Sequence, residues 1–394
     1  MNFDFTIVGA GIVGLASGLH LQRRFPKAKI AVIEKEAAVA NHQTGNNSGV
    51  IHSGVYYKPG SLKAKNCKRG YDLMLDFLRE HKLPYELCGK VIVATEESEL
   101  PALERIYERG IENGLKGLSL LNRDGIKEIE PYVEGIRAIH VPQSGITSYK
   151  QVARKYKELL ADKGVSFFFN HRVTEIVPSL NSVTVKTQKQ SFETGMVFNC
   201  GGLFSDKLAR LTLDTLDYQI VPFRGEYYNL KPSAYHYVKG LIYPVPDPNF
   251  PFLGVHFTKT ISGGVESGPN AVFAFSREGY RKRDVNLGEL LESLTYSGFR
   301  SLAVKHWRKG SMEMYRSLSK KAYVRSLQKL VPAITSDDVI KGGAGVRAQA
   351  LKKDGSMVDD FLILKSKQVI NVCNAPSPAA TASLAIGEHI VSLV

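Results

Sequence analysis

Cysteine is scarce in this chain, with four among 394 residues: Cys67, Cys88, Cys200 and Cys373. They are scattered, with no C-x-x-C pair and no metal-ligand spacing. A disulfide framework is excluded, no metal site is expected, and free thiols in a reducing compartment fit. No apolar run approaches the ~18 residues that cross a bilayer. No charged leader followed by an apolar run and a cleavage site is seen, so no secretory signal is expected. Repeats and low-complexity tracts are absent. Acidic residues are in deficit, 38 against 52 Lys and Arg, giving a formal charge of +14. That balance suits solubility and anionic substrates, and allows contact with an anionic membrane surface. No nucleic-acid module accompanies the charge, so nucleic acid is not an expected partner. The expected location is cytoplasmic, with the inner face of the cell membrane as the surface a basic patch would meet.

What is present is a large apolar fraction, 43%. It is enough for about two to three domains of mixed helix and strand. Asp4 to Val8 reads as a strand, Gly11 to Arg24 as a helix and Lys29 to Glu34 as a second strand: a β-α-β unit. Helical spacing returns over Leu62–His81, Glu97–Asn113 and Tyr149–Lys163. Strands are expected over Lys90–Thr95, Val165–Phe169, Val173–Val177, Ser182–Thr187 and Met196–Cys200, with a helix from Ser205. From Gln219 to Phe275, short β-like runs are punctuated by proline and glycine, as in an antiparallel sheet. Arg277 to Lys329 is basic and helical, with thirteen Lys or Arg against five Asp or Glu. Strands at Phe361–Leu364 and Val369–Cys373 and a helix from about Ala379 complete the pattern.

Gly9-Ala10-Gly11-Ile12-Val13-Gly14 follows the first strand and opens the first helix. Gly9 allows the tight turn, Gly11 the approach of a pyrophosphate, and Gly14 close helix–strand packing, while the helix N-terminus faces the phosphate charge. Glu34, followed by Lys35, ends the second strand, where its carboxylate can accept from ribose hydroxyls. This is a dinucleotide site. Two further features favour FAD over NAD. In the loop His42–Tyr57, Thr44, Gly45, Asn47, Ser48 and Gly49 can offer hydroxyls and backbone amides to phosphate, ribitol and flavin. Asn199-Cys200-Gly201-Gly202 is a second strand–glycine turn suited to lie beside the pyrophosphate, and Val173 sits on a strand that would face the adenine.

Longer motifs carry a resemblance. His42-Gln-Thr-Gly, Asn47-Ser-Gly-Val-Ile-His52-Ser-Gly-Val-Tyr-Tyr57, Pro222-Phe-Arg-Gly-Glu-Tyr-Tyr228, Pro251-Phe-Leu-Gly-Val-His256, Gly345-Val-Arg347-Ala-Gln and Asn374-Ala-Pro-Ser-Pro-Ala-Ala-Thr381 resemble the L-2-hydroxyglutarate oxidase (dehydrogenase) family. That family belongs to the FAD-dependent D-amino-acid oxidase-like superfamily. The similarity runs from the first strand to the last helix. It implies oxidation of L-2-hydroxyglutarate to 2-oxoglutarate, with electrons passed from FAD to a quinone or to oxygen. The implied fold is α/β, or α+β in two domains. A Rossmann-like FAD-binding domain is built from residues 1–80, 145–215 and 340–394. A mainly antiparallel substrate domain comes from 81–144 and 216–339, including the basic helical insertion. No Cys or His lies in an obvious flavin-tethering motif, so FAD should be non-covalent.

Oxidising a 2-hydroxy acid requires a base for the hydroxyl proton and a cation for the carboxylate. Arg347, expected in a glycine-rich turn, offers planar two-point recognition of a carboxylate. In the superfamily an arginine in a similar turn does this; the alternative is an ion pair with Asp359 or Asp360. His256 and His52 compete for the role of base, because imidazole titrates near working pH. For a second carboxylate, Arg224, Tyr56, Tyr57 and Tyr243 are candidates. Pro376, Pro378 and Ala379 precede the last helix, whose positive end could face the flavin N1–C2=O locus, where negative charge develops. The basic helices could form an interfacial patch that reaches membrane quinone. The alternatives to this reading are an FAD oxidoreductase for an amino acid or glycerol 3-phosphate, and a non-catalytic dinucleotide-binding module.

Overall fold

The protein is described by a computed structural model over residues 1–247 and 253–394. Pro248, Pro251 and the start of the Pro251–His256 motif lie outside the described residues.

The first sheet has eight strands. At its centre Asn2–Val8 runs parallel to Ile30–Ile33 on one side and Ser191–Asn199 on the other. Ser166–Phe168 and Val369–Asn374 extend this parallel core outward. Ile30–Ile33 is buried throughout, as a continuous apolar run in a doubly covered sheet should be. Helices Ile12–Arg24, Leu62–Glu80, Tyr149–Asp162 and Ser383–Ser392 share one core with it, where Leu15, Met74, Tyr156 and Ile386 meet Ile7 and Val32. The contact between the first and last helices is close: a Cβ on Gly387 would lie 2.8 Å from the Ala16 carbonyl carbon. Two antiparallel strands, Val173–Pro178 and Val183–Thr187, add to Ser191–Asn199.

Among the described residues the second sheet has nine strands. Its longest pair is Tyr218–Leu230 against Val339–Lys352, antiparallel over nearly their whole length. Leu241–Pro244 lies parallel to Lys90–Ala94. A core of Val91, Ile242, Phe257, Tyr323 and Leu327 joins this sheet to helix Lys320–Leu327. A three-stranded sheet of Val50–Ile51, Gly145–Thr147 and Tyr85–Glu86 pins the His42–Tyr57 loop.

Two expectations need correction. Residue 340 does not return the chain to the cofactor unit, because Val339–Lys352 pairs in the second sheet and only Leu362–Lys365 and Val369–Asn374 rejoin the first. The last helix begins at Ser383. Before it, Ala379 N–H donates to Pro376 O and Ala382 N–H to Pro378 O, both at 2.9 Å, in turns that two prolines keep out of the helix. No helix among the described residues is long and apolar enough to cross a membrane.

Candidate active site

A cavity of about 1490 Å³ runs from the first β-α turn to the face of the second sheet. Its phosphate end follows from the glycines. Gly9 has φ +106°, and a Cβ there would lie 2.4 Å from Cys200 O; one on Gly14 would lie 2.2 Å from Gly9 O. Side chains are excluded at both positions, which brings the Cys200–Gly202 turn against the fingerprint. At Gly11 a Cβ would have only Thr44 Oγ1 near it, at 3.5 Å, leaving a cradle at the N-terminus of the first helix. Thr44 Oγ1 accepts from Ile12 N–H at 3.0 Å, so its own hydroxyl proton can point outward.

Glu34 lies on the wall, its carboxylate accepting from Ala10 N–H at 2.7 Å and Glu36 N–H at 2.9 Å. Ile12, Val13, Lys35, Ser48, Val173, Gly201 and Gly202 also line the cavity. Ala10, Gly45 and Gly49 do not; they pack behind the wall, where a Cβ on Gly45 would meet Ala40 O at 2.1 Å and one on Gly49 would meet Thr147 O at 2.4 Å. Asn47 reaches the wall, but its amide donates to Thr44 O at 2.7 Å and its Oδ1 accepts from Gly49 N–H at 2.9 Å. It shapes the loop rather than presenting a donor.

The Lys35 ammonium pairs with Glu36 and Glu278, and His42 joins them, with Nε2 2.9 Å from Glu36 and Nδ1 3.0 Å from the Tyr280 hydroxyl. Burial works against protonating His42, but hydrogen bonds to Glu278 and Glu36 outweigh it and raise its pKa. Glu278 resists burial in the same network and is drawn down to about 2 by His42 and Lys35. This cluster ties the cofactor loop to the basic segment.

At the other end the wall is assembled from both sheets. His52 is fixed by its backbone N–H to Thr381 Oγ1 at 3.1 Å and by Nε2 against Ser377 Oγ at 3.2 Å, so the Asn374–Thr381 turn holds it. Pro376, Pro378 and Ala379 line the cavity on that turn. His256, on strand His256–Lys259, packs on Tyr243 with ring centroids 3.9 Å apart and the planes tilted by 31°. Its Nδ1 lies 2.9 Å from Gly254 O. A carbonyl only accepts, so Nδ1 carries the proton and Nε2 keeps its lone pair. Burial, helped by the Lys90 charge, pulls both histidines down to about 3. Burial pushes the Tyr56, Tyr57 and Tyr243 phenols upward, so they stay protonated.

Arg347 lines the cavity, half-buried, from strand Val339–Lys352 opposite Phe223. The expected glycine-rich turn is thus a strand. Its Gly345 is required by another contact, since a Cβ there would lie 2.4 Å from Asn46 O on the cofactor loop. Asp360 caps helix Leu62–Glu80 by accepting from Leu62 and Lys63 N–H at 3.0 and 2.9 Å, and Asp359 pairs with Lys63 at 2.8 Å. Arg224 is not at the site. It pairs with Glu226 at 3.0 Å and donates to Gly279 O and Arg281 O. The reason is strand alternation: Gly225 and Tyr227 face the cavity, so Arg224 and Glu226 face away.

Tyr227 is therefore a wall residue that the motif contained and sequence reasoning did not single out. Alternation from Gly225 could have found it. Arg105 and Arg109, exposed on helix Leu100–Glu112, stand with Lys58 at the mouth. Lys90, buried on its strand, was also missed, because a strand-edge lysine ordinarily faces solvent.

The chain matches the family model "FAD dependent oxidoreductase" over residues 4–393. It is 53% identical to an L-2-hydroxyglutarate dehydrogenase of Indibacter alkaliphilus, covering 98% of this chain and 97% of that one. It is 45% identical to the mitochondrial L-2-hydroxyglutarate dehydrogenase of Homo sapiens, over 100% of this chain and 89% of the other. Among solved structures, an FAD-bound L-alpha-glycerophosphate oxidase from Mycoplasma pneumoniae superposes with a TM-score of 0.81 at 22% identity, covering 100% of this chain and 94% of that one. This last likeness concerns the fold. The glycine cradle, the Thr44 and Glu34 contacts and the long cavity fit a dinucleotide whose cofactor role is filled by FAD. The chain belongs to the FAD-dependent oxidoreductase family.

Proposed function

We propose that the protein oxidises L-2-hydroxyglutarate to 2-oxoglutarate. One observation carries the reading beyond the relatives' names: two neutral histidines, His256 buried and His52 half-buried, protonated phenols and Arg347 face one cavity that continues into the nucleotide cradle. FAD, when bound, supplies the two-electron acceptor, flavin N5, for the hydride leaving C2.

The chain's own groups do the rest. Arg347 takes a carboxylate by its planar fork. His256 accepts the hydroxyl proton at Nε2, the nitrogen left with a lone pair by the Gly254 contact. A bound dianion raises the basicity of both histidines, offsetting their burial. His52, held by Thr381 and Ser377, orients the hydroxyl. The test is anaerobic titration of the yellow holoprotein. L-2-hydroxyglutarate should bleach the flavin, while the D form, glycine and glycerol 3-phosphate should not. Bleaching by none of the four would overturn the reading.

Electrons then pass to a quinone or to oxygen, and the exposed surface favours a membrane quinone. Leu287, Val304, Trp307 and Leu318, on consecutive helices, are 72%, 75%, 63% and 73% exposed. Arg300, Lys305, Arg308 and Lys309 lie on the same helices. An apolar patch beside cations suits an anionic lipid surface. Cosedimentation with anionic vesicles at low and high salt should detect binding, and Leu287→Asp with Trp307→Asp should abolish it. A wild type that fails to bind at either salt would remove the membrane from the proposal.

A further inference from the structure

Lys90 is 2% exposed, on strand Lys90–Ala94. Its ammonium lies 4.1 Å from the Tyr243 ring centroid and 5.5 Å from that of Tyr56. Both rings line the active-site cavity. Among the described residues, no acidic side chain forms a salt bridge with it. The Tyr56 hydroxyl is buried without a hydrogen-bond partner among the described residues. The Lys90 charge thus sits behind the wall that the Tyr56 and Tyr243 rings form. A buried charge is costly unless it is paired, and aromatic faces compensate only part of that cost. An apolar side chain would pack there at no such cost.

A dicarboxylate brings two negative charges, and the inner wall must answer both. The histidines are neutral, and Arg105, Arg109 and Lys58 are exposed at the mouth. Arg347 answers one charge. We propose that Lys90 is a positioning residue for the second carboxylate: its ammonium, held behind the Tyr243 and Tyr56 rings that line the cavity, supplies a positive potential to that part of it. The proposal rests on the dicarboxylate reading above. Burial lowers the ammonium to about 8, so it is still cationic at neutral pH.

Charge-dependent binding tests it. Glutarate and butyrate are titrated into oxidised holoenzyme and followed by the flavin absorbance. In Lys90→Met the glutarate Kd should rise by roughly 10–100-fold, the size expected for removing one desolvated charge partner. The butyrate Kd should move less than about twofold, since the interaction removed is with the second carboxylate. Lys90→Arg should recover most of the loss, and Tyr56→Phe, which keeps the ring and removes a hydroxyl buried away from the cavity, should leave the selectivity intact. Equal weakening of both ligands in Lys90→Met, or no weakening of either, overturns the proposal. Should Lys90→Met not retain FAD, Lys90→Gln decides by the same ratio. The flavin-bleaching panel stands apart from this comparison. No bleaching by L-2-hydroxyglutarate with charge selectivity lost on removing Lys90 removes the substrate reading and keeps Lys90; bleaching with selectivity unchanged in the Lys90 variants does the reverse.

Discussion

The two ends of the cavity are built on opposite plans. The nucleotide end is backbone: a turn, a helix N-terminus and glycines that exclude side chains, with its core between Val8 and Glu34. The other end is side chains delivered from far apart: His52 on a pinned loop, Lys90, Tyr243 and His256 on three strands of the second sheet, and Arg347 on a fourth. Backbone sites tolerate little change in shape, because the fold itself is the ligand cradle. Side-chain sites tolerate changes in shape but not in charge, because each group carries one function in a buried setting.

The sharpest test of that contrast is Gly9→Val. A β-branched residue at φ +106° whose Cβ also meets Cys200 O at 2.4 Å should cost several kcal/mol. The flavin-to-protein ratio should fall close to zero. By contrast, His256→Gln should keep its flavin and lower kcat by roughly 10²–10⁴-fold, the usual worth of a general base. If it left kcat intact while His52→Gln lowered it, the two histidines would exchange roles.

Smaller effects test the electrostatic half. The Lys90 pKa is lower in the fold, about 8, than its ordinary value of 10.5, so the charged form is penalised below pH 8 and the penalty fades as pH rises toward 10.5. Lys90→Met should therefore stabilise the cofactor-free protein at pH 7 by about 1–3 kcal/mol, the shift less the lost ring contacts. The difference in urea midpoint should shrink toward pH 10.5. The histidines have the same sign in a lower pH window. Each is held neutral, at about 3 against 6.5 unfolded, so stability present above 6.5 is lost as pH falls toward 3. His256→Gln should reduce the slope of stability against pH in that window by up to one proton, about 1.4 kcal/mol per pH unit. The mildest change is Glu34→Ala, which removes a ribose acceptor and should weaken FAD by about tenfold, read by flavin fluorescence on dilution.

Much of the first region was legible because its signals are local. The fingerprint, the apolar strands and the acid at Glu34 lie within one β-α-β unit, and their spacing follows from helix and strand geometry. The errors fell where distant pairing overrides local pattern. The glycines before Arg347 look like a turn, yet a strand forms because Tyr218–Leu230 satisfies its backbone along its length. Arg224 looked like a ligand for a carboxylate, but strand alternation turns it toward Glu226. Asn47 looked like a donor and instead closes its own loop.

By itself the sequence determined the nucleotide cradle, the family and the residue types available for chemistry, since backbone turns and short-range periodicity are encoded within a few residues of each other. Only the tertiary structure decided which face each side chain takes. It placed His256 against Tyr243, fixed its tautomer through Gly254, turned Arg224 away and buried Lys90 behind two tyrosines. Those outcomes depend on strand pairing, part of it between segments more than a hundred residues apart such as Lys90–Ala94 with Leu241–Pro244, and on the cost of burying charge, neither of which the local pattern of any one strand contains.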